Sequence, residues 1–240
     1  MPSLLAQAEP LFINLDSVLF VGLPYAAIVL FLYATIRRYV SSKFSYSSYS
    51  SQFLENRKLF YASAPWHFGI IALFFGHLLG FLIPREILWW NSVPARLYVI
   101  ELSALIFAIL ALVGLVAALH RRATSPRIRV VTSKMDIVIL LLLLVQVVDG
   151  IWIALFHRWG SSWFAGIMAP YLWSLFKFSP DITAVREMPF AIKLHVVGAF
   201  VILAVFPFTR LVHLLVLPLS YLWRLPQQVI WNRDRRAKQP

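Results

Sequence analysis

The sequence predicts an all-α integral membrane protein: one bundle of five transmembrane helices that forms a single domain over residues 1–240. Hydrophobic residues make up 60% of the chain and charged residues only 13%, whereas an average soluble domain has about 25% charged residues. Five apolar runs approach or exceed the roughly 20 residues that a helix needs to cross a bilayer. We therefore expect a multi-pass protein of the cell inner (plasma) membrane, in contact with lipid.

The five predicted spans are residues 18–36, 66–83, 97–118, 137–156 and 190–217. The fifth has 28 residues, so it must tilt, kink or project beyond the hydrocarbon. Pro207 lies within it, and a proline removes one backbone hydrogen bond of a helix. The sequence therefore predicts a bend in the fifth helix between His195 and His213.

The basic residues predict the orientation. Of the 22 Lys and Arg residues, sixteen follow the first, third and fifth spans, and six lie on the opposite side. Because cytoplasmic loops carry the excess of positive charge, the N-terminus is predicted outside and the C-terminus in the cytoplasm. Residues 41–51 are then a cytoplasmic connection. The aromatic outer loop at residues 158–187 predicts an interfacial belt or a short horizontal helix.

Composition excludes several classes of function. The chain has no cysteine, which rules out disulfides, Cys-ligated iron–sulfur clusters, thiolate zinc sites and covalently attached haem. The net charge of +12 lies in short segments beside apolar spans, so nucleic acid is not a predicted partner. Anionic headgroups or an acidic partner subunit suit these basic margins better.

Histidine is the metal ligand that remains. His120 and His157 lie at helix ends, where an imidazole can meet headgroups and water. His67 and His77 lie in the second span and His195 and His213 in the fifth. The 18 residues between the last two return the chain to the same helix face. Taken singly, each of these four histidines would be interpreted as a buried residue that forms a hydrogen bond to a neighbouring helix.

The pairing of these histidines predicts two haems. The second and fifth helices are antiparallel, so His67 and His213 share the cytoplasmic side while His77 and His195 share the outer side. Two opposed imidazoles at each of two depths are what bis-histidine ligation of two b-type haems requires. Such ligation leaves no open position on the iron, so these haems would transfer electrons.

Two straight, ideal helices cannot bring both histidine pairs into contact at once. His67 and His77 differ in height by about 15 Å, but His195 and His213 by about 27 Å. A kink at Pro207 could absorb the difference; otherwise His120 could replace an inner ligand, or His157 an outer one. A histidine relay in a metal or proton transporter is an alternative, although the apolar surroundings of the histidines favour haem.

Five segments carry a resemblance to a known family: residues 50–63, WHFGIIALFFGH at 66–77, SPRIR at 125–129, TSKMDIVIL at 132–140, and KLHVVGAFVILAVFPFTRLVH at 193–213. In order and spacing they resemble the gamma subunit of respiratory nitrate reductase. The resemblance implies a di-haem cytochrome b that oxidises membrane quinol. It also implies His67 and His213 as ligands of the inner haem, and His77 and His195 as ligands of the outer haem.

The resemblance further implies two soluble partners on the cytoplasmic side, an iron–sulfur beta subunit and a molybdenum alpha subunit that reduces nitrate. The same type of cytochrome could instead serve a different soluble reductase. Gly76 and His77 match the family's quinol site. The family's lysine after the second helix has no counterpart here, and Arg96 is the nearest basic side chain; it can donate hydrogen bonds but cannot act as a base.

For several other charged residues and glycines, the sequence allows two roles. Asp149 and Glu101 could carry protons released by quinol oxidation to the outer side, or pair with Lys193 or another helix. Gly69, Gly76, Gly80 and Gly198 could make room for a flat macrocycle or serve helix packing. Cytoplasmic arginines could meet haem propionates or anchor the inner leaflet; these are Arg121, Arg122, Arg127, Arg129 and Arg210.

Overall fold

The computed structural model describes residues 14–46, Leu54 and residues 57–216. Within these residues the chain is helical apart from turns and short connections, and no strand occurs. The structure therefore confirms the all-α class. The terminal segments lie outside the described residues, and with them five of the cations that predict the orientation: Arg224, Arg233, Arg235, Arg236 and Lys238.

The helices follow one another with short connections. Helix α1 (Leu23–Ser42) continues the turn Leu15–Ser17 and a π-helical turn at Val18–Gly22. The helices after it are α2 (Arg57–Leu82), α3 (Pro84–Asn91), α4 (Pro94–Thr124), α5 (Pro126–Val130), α6 (Lys134–Phe156), α7 (Gly160–Trp163), α8 (Ala169–Phe176), α9 (Thr183–Arg186) and α10 (Phe190–Val205). Proline stands first in α3, α4 and α5, where its missing N–H costs no helical bond.

Five segments are long and apolar enough to cross a membrane, as predicted: Leu15–Ser45, Lys58–Leu82, Pro94–Thr124, Lys134–Phe156 and Phe190–Phe208. Many large apolar side chains on them are exposed, among them Val29, Leu32 and Ile106. A surface in contact with lipid chains requires this distribution, because lipid is as apolar as the side chains themselves.

Two predicted boundaries were wrong. Helix α2 begins at Arg57 rather than at residue 66 and runs through Pro65, so the proline does not mark the start of the helix. The fifth span is not one helix over residues 190–217. Helix α10 ends at Val205 because Pro207 cannot donate the backbone bond that would continue it. Leu217 lies outside the described residues.

Helices α2 and α4 pack with their backbones in close approach. A Cβ added to Gly69 would lie 2.6 Å from the backbone nitrogen of Ala111 and 2.6 Å from the carbonyl oxygen of Phe107. Across the same contact, a Cβ on Gly114 would meet the backbone of Trp66. Small residues at such crossings let two membrane helices gain van der Waals contact. Gly69 therefore serves helix packing, one of the two roles expected for it.

Replacing Gly69 by alanine should destabilise the bundle, although alanine is the better helix former. The added methyl group would meet the backbone of α4 and the Cβ of Ala111, none of which can rotate away, and overpacking of this kind costs about 1–3 kcal/mol. The matched control is Gly166→Ala, where a Cβ would meet no atom of the described residues within 4 Å. Thermal unfolding in detergent should show a lower midpoint for Gly69→Ala only. Equal midpoints would contradict the close packing.

A buried cluster closes one end of the bundle. It joins the start of the first span, the end of α6, the helical segment from α7 to α8, and the start of α10. The Tyr171 hydroxyl donates a 2.7 Å hydrogen bond to the carbonyl of Phe20, and the Trp173 indole donates one of 3.0 Å to the carbonyl of Phe81. The predicted short helix in the outer loop is present, with Tyr171 buried in this cluster rather than at an interface.

Candidate functional site

The structure brings the four histidines of the second and fifth spans together in two pairs. His67 on α2 faces His213, with 6.3 Å between the ring centroids and 67° between the ring planes. Further along α2, His77 faces His195 on α10, with 6.4 Å between the ring centroids and 24° between the ring planes. These are the two pairings expected from the sequence. His120 and His157 belong to neither pair.

The break in the fifth span makes both pairings possible. After α10, residues Phe206–Phe208 form a 3₁₀ turn, Thr209 is extended (φ −113°, ψ −179°), and a second 3₁₀ segment at Arg210–Val216 carries His213. The predicted bend is thereby confirmed. It goes further than a kink, because α10 stops and the chain restarts in a different helical form. The separation of about 27 Å that a straight helix would put between His195 and His213 is therefore not the separation in this structure.

Arg38 of α1 holds this break. Its guanidinium donates hydrogen bonds to the carbonyl oxygens of Pro207 and, at 3.1 Å, Thr209. The same group bonds the hydroxyl and the carbonyl of Ser45, at 2.9 and 2.8 Å. Ending a helix leaves carbonyls without intrahelical donors, and a planar guanidinium can serve several at once. From the sequence, Arg38 counted only as one of the charges that predict the orientation, because nothing near it in the chain points to residue 207.

A second arginine fixes the segment that carries His213. Arg210 donates two hydrogen bonds to the carboxylate of Asp136 and one of 3.0 Å to the carbonyl of Val131. Asp136 is only 3% exposed and also forms a capping box with Ser133 at the start of α6. The Ser133–Asp136 spacing could have revealed this cap in the sequence, but not its ion pair with Arg210.

Three of the paired histidines are oriented by backbone carbonyls. Nδ1 lies 2.7 Å from the carbonyl oxygen of Ser63 in His67, 2.8 Å from that of Leu73 in His77, and 2.5 Å from that of Arg210 in His213. A carbonyl only accepts, so each Nδ1 carries the proton and donates. In the neutral imidazole Nε2 then keeps its lone pair, which is the arrangement that metal-ligating histidines have.

The spacing within each pair fits an iron held between two imidazoles. A ring nitrogen lies about 2 Å from a bound metal and the ring centre about 1 Å further, so two opposed rings have centroids about 6 Å apart. Both observed separations, 6.3 and 6.4 Å, agree. In the described residues no group of three or more His, Cys, Asp or Glu side chains could hold a metal. Two imidazoles at each site are the donor set that bis-histidine ligation of a haem needs.

The surroundings of the two pairs differ. Beside His67 an open cleft of about 440 Å³ is lined by Ser63, Ala64 and apolar side chains of α2. Near His77, a Cβ added to Gly76 would meet no atom of the described residues within 4 Å. Gly80 and Gly198 instead lie against Phe164 and Gln146. Of the four glycines considered from the sequence, Gly76 alone lies against open space.

Arg96, the other candidate for a quinol site, lies in the first turn of α4. Its guanidinium lies over the rings of Trp89 and Trp90, 4.8 and 5.2 Å from their centroids. It also donates to the carbonyl of Trp89 and the hydroxyl of Ser92. These contacts fix the orientation of the side chain. Its Nε is buried and has no hydrogen-bond partner in the described part of the chain.

The five arginines expected near propionates differ in environment. Arg121 is buried, with only 2% of its surface exposed. Arg122 is half-buried, and its Nε is without a hydrogen-bond partner among the described residues. Arg127 and Arg129 are exposed on the short helix α5. Arg210 has its partner in Asp136. Arg122 therefore retains the clearest unused donor of the set.

The two acids expected in the outer half, Glu101 and Asp149, have different partners. Glu101 accepts hydrogen bonds from the backbone nitrogens of Gly160 and Ser161, at 3.2 and 2.9 Å, and from the Ser161 hydroxyl at 2.6 Å. It thus caps the start of α7. Asp149 lies 3.6 Å from Nδ1 of His195. The pairing with another helix that was one of the two expectations is found for both, but Lys193 is not the partner that these contacts show.

The chain is similar to proteins of one family. Residues 16–232 match the family described as "Nitrate reductase gamma subunit". The nitrate reductase gamma chain of Bacillus subtilis (strain 168) is 34% identical over 206 residues, which cover 84% of this chain and 92% of that one. The respiratory nitrate reductase 2 gamma chain of Escherichia coli (strain K12) is 31% identical over 218 residues, covering 89% of this chain and 94% of that one. The family match extends over all five spanning segments, apart from Leu15 at the start of the first.

Proposed function

The chain belongs to the nitrate reductase gamma subunit family, and from that premise we propose that it is the quinol-oxidising di-haem cytochrome b subunit of a respiratory nitrate reductase. Its cytoplasmic partners would be an iron–sulfur beta subunit and a molybdenum alpha subunit, and it would lie in the cell inner (plasma) membrane. The observation that carries the proposal is the pair of imidazole sites, each with ring centroids between 6.3 and 6.4 Å apart.

His67 and His213 would hold the inner haem, and His77 and His195 the outer haem. Two haem b groups bound there would supply one-electron transfer across the bilayer, because bis-histidine ligation leaves no position for a substrate. The protein's own contribution is orientation. Carbonyls of α2 and of the 210–216 segment keep three of the rings in the ligating tautomer, and Arg38 and Arg210 fix the break that brings His213 back to α2.

Quinol would bind beside the outer pair. Gly76 leaves the face of α2 next to His77 without a side chain, so a flat ring can approach there. Arg96 is a hydrogen-bond donor held in place by Trp89 and Trp90; as arginine stays protonated, it can bind a quinol oxygen but cannot remove its proton. Arg122, whose Nε has no hydrogen-bond partner among the described residues, would be the arginine that donates to a propionate.

The experiment compares two electron donors for nitrate reduction in membranes that contain the whole complex. A membrane quinol must enter through this subunit, whereas a soluble one-electron dye can reduce the soluble subunits directly. His77→Ala should lose at least tenfold of the quinol-linked rate and keep the dye-linked rate, and His120→Ala should keep both. Undiminished quinol-linked activity in His77→Ala would contradict the proposed entry site.

A further inference from the structure

His195 differs from the other three paired histidines in the partner of its Nδ1. Those three donate to a backbone carbonyl close in sequence. Nδ1 of His195 is buried and has no hydrogen-bond partner in the described ranges, and the same holds for Oδ2 of Asp149. These two atoms lie 3.6 Å apart. A buried donor and a buried acceptor that both lack hydrogen-bond partners are unfavourable in a protein interior, so a bond between the two would relieve both.

Helix α6 is shaped to bring Asp149 to this place. Gly150 lets the helix come close to the ring, since a Cβ there would lie 3.1 Å from Cε1 of His195. One turn earlier, Gln146 donates a 2.9 Å hydrogen bond to the carbonyl of His195. Residues 146, 149 and 150 are three and four apart and therefore share one helix face. Three residues of α6 thus surround one histidine of α10.

We propose that Asp149 is a positioning residue that binds Nδ1 of His195 and lowers the reduction potential of the outer haem. This inference rests on the proposed function, because it requires an iron between His77 and His195. A carboxylate that accepts from the far nitrogen of a ligating imidazole makes the ligand more basic. Its negative charge also favours the oxidised iron, which carries one more positive charge. Hydrogen bonds to the ligands of the iron, and burial of the site, are established controls of haem potential.

The inner and outer histidine pairs then differ in the charge of the groups that contact Nδ1 of their rings. The inner pair has neutral carbonyl partners for both of its histidines, Ser63 for His67 and Arg210 for His213. The outer pair has one neutral partner, Leu73, and one carboxylate. The Asp149 side chain is 11% exposed, so solvent screens its charge weakly. The expected consequence is a lower potential on the outer side, which favours electron flow from the outer to the inner haem.

The test is a potentiometric titration of the two b-type signals in the purified complex. Asp149→Asn keeps the shape and removes the charge; at a fixed ambient potential it should raise the reduced-to-oxidised ratio of the outer haem about tenfold, which is 59 mV for one electron. The inner signal should stay unchanged. Asp149→Glu, which keeps the charge, should remain near the wild-type potential. The variants His67→Ala and His77→Ala assign the two signals.

The control is Asp181→Asn, which removes an equal charge from an exposed loop at the same end of the bundle and should move neither signal. An unchanged or lowered outer potential in Asp149→Asn, or an equal shift of both haems, would overturn the role of Asp149 and leave the proposed function standing. Wild-type protein without two b-type signals would instead overturn the proposed function, and this inference with it.

Discussion

Replacing His77 or His195 by alanine should remove the outer haem and leave the inner one, so that purified protein keeps one b-type haem of two. In the proposed arrangement each iron would have two histidine ligands, so the loss of one would remove half of the bonds between the protein and that iron. His67→Ala and His213→Ala should show the converse loss. The measurement is haem per chain together with the reduced-minus-oxidised spectrum, in which the two single-pair losses should leave different bands.

His120→Ala and His157→Ala are the matched controls, since both histidines lie at helix ends and belong to neither pair. Both variants should keep two haems. If His120→Ala lost the inner haem while His213→Ala kept it, His120 would be the inner ligand. The pairing drawn from the 6.3 Å contact between His67 and His213 would then be wrong.

Replacing Arg38 by alanine should weaken or abolish the inner haem and spare the outer one. The substitution leaves the carbonyls of Pro207 and Thr209 without the donor they share, at about 1–3 kcal/mol for each buried acceptor. His213 lies four residues beyond Thr209, so a displaced break moves this ligand most. His195 lies on α10, before the break. Spectra of the two haems and haem retention on mild heating would measure the effect.

Arg37→Ala removes the same charge from the adjacent, exposed position of α1 and should leave both haems intact. Arg38→Lys keeps the charge but provides a compact ammonium instead of a planar fork, so it should restore the inner haem only in part. Equal losses in Arg37→Ala and Arg38→Ala would show that net charge at this end of the bundle matters, and not the bonds to residues 207 and 209.

The sequence predicted the features that depend on local pattern. Apolar length predicted five spans, because a bilayer of fixed thickness demands it, and 18-residue spacing placed His195 and His213 in one run. Pro207 predicted the bend, since a missing N–H is a property of the residue itself. The pairing of His67 with His213 followed from antiparallel helices, although ideal helix geometry argued against it.

Contacts between distant helices could not be predicted in the same way. Arg38 and Pro207 are 169 residues apart, and no periodicity links them. Asp149 was expected to carry protons or to pair with Lys193 or another helix, but its position against His195 depends on how closely Gly150 lets α6 approach. Such distances are set by packing, which spacing along one chain does not contain.

The haem content of the purified protein tests the central claim most directly. We expect two haems per chain, non-covalently bound because the chain has no cysteine, with a b-type reduced-minus-oxidised spectrum. One haem per chain, or none, in a sample prepared with sufficient haem would contradict it.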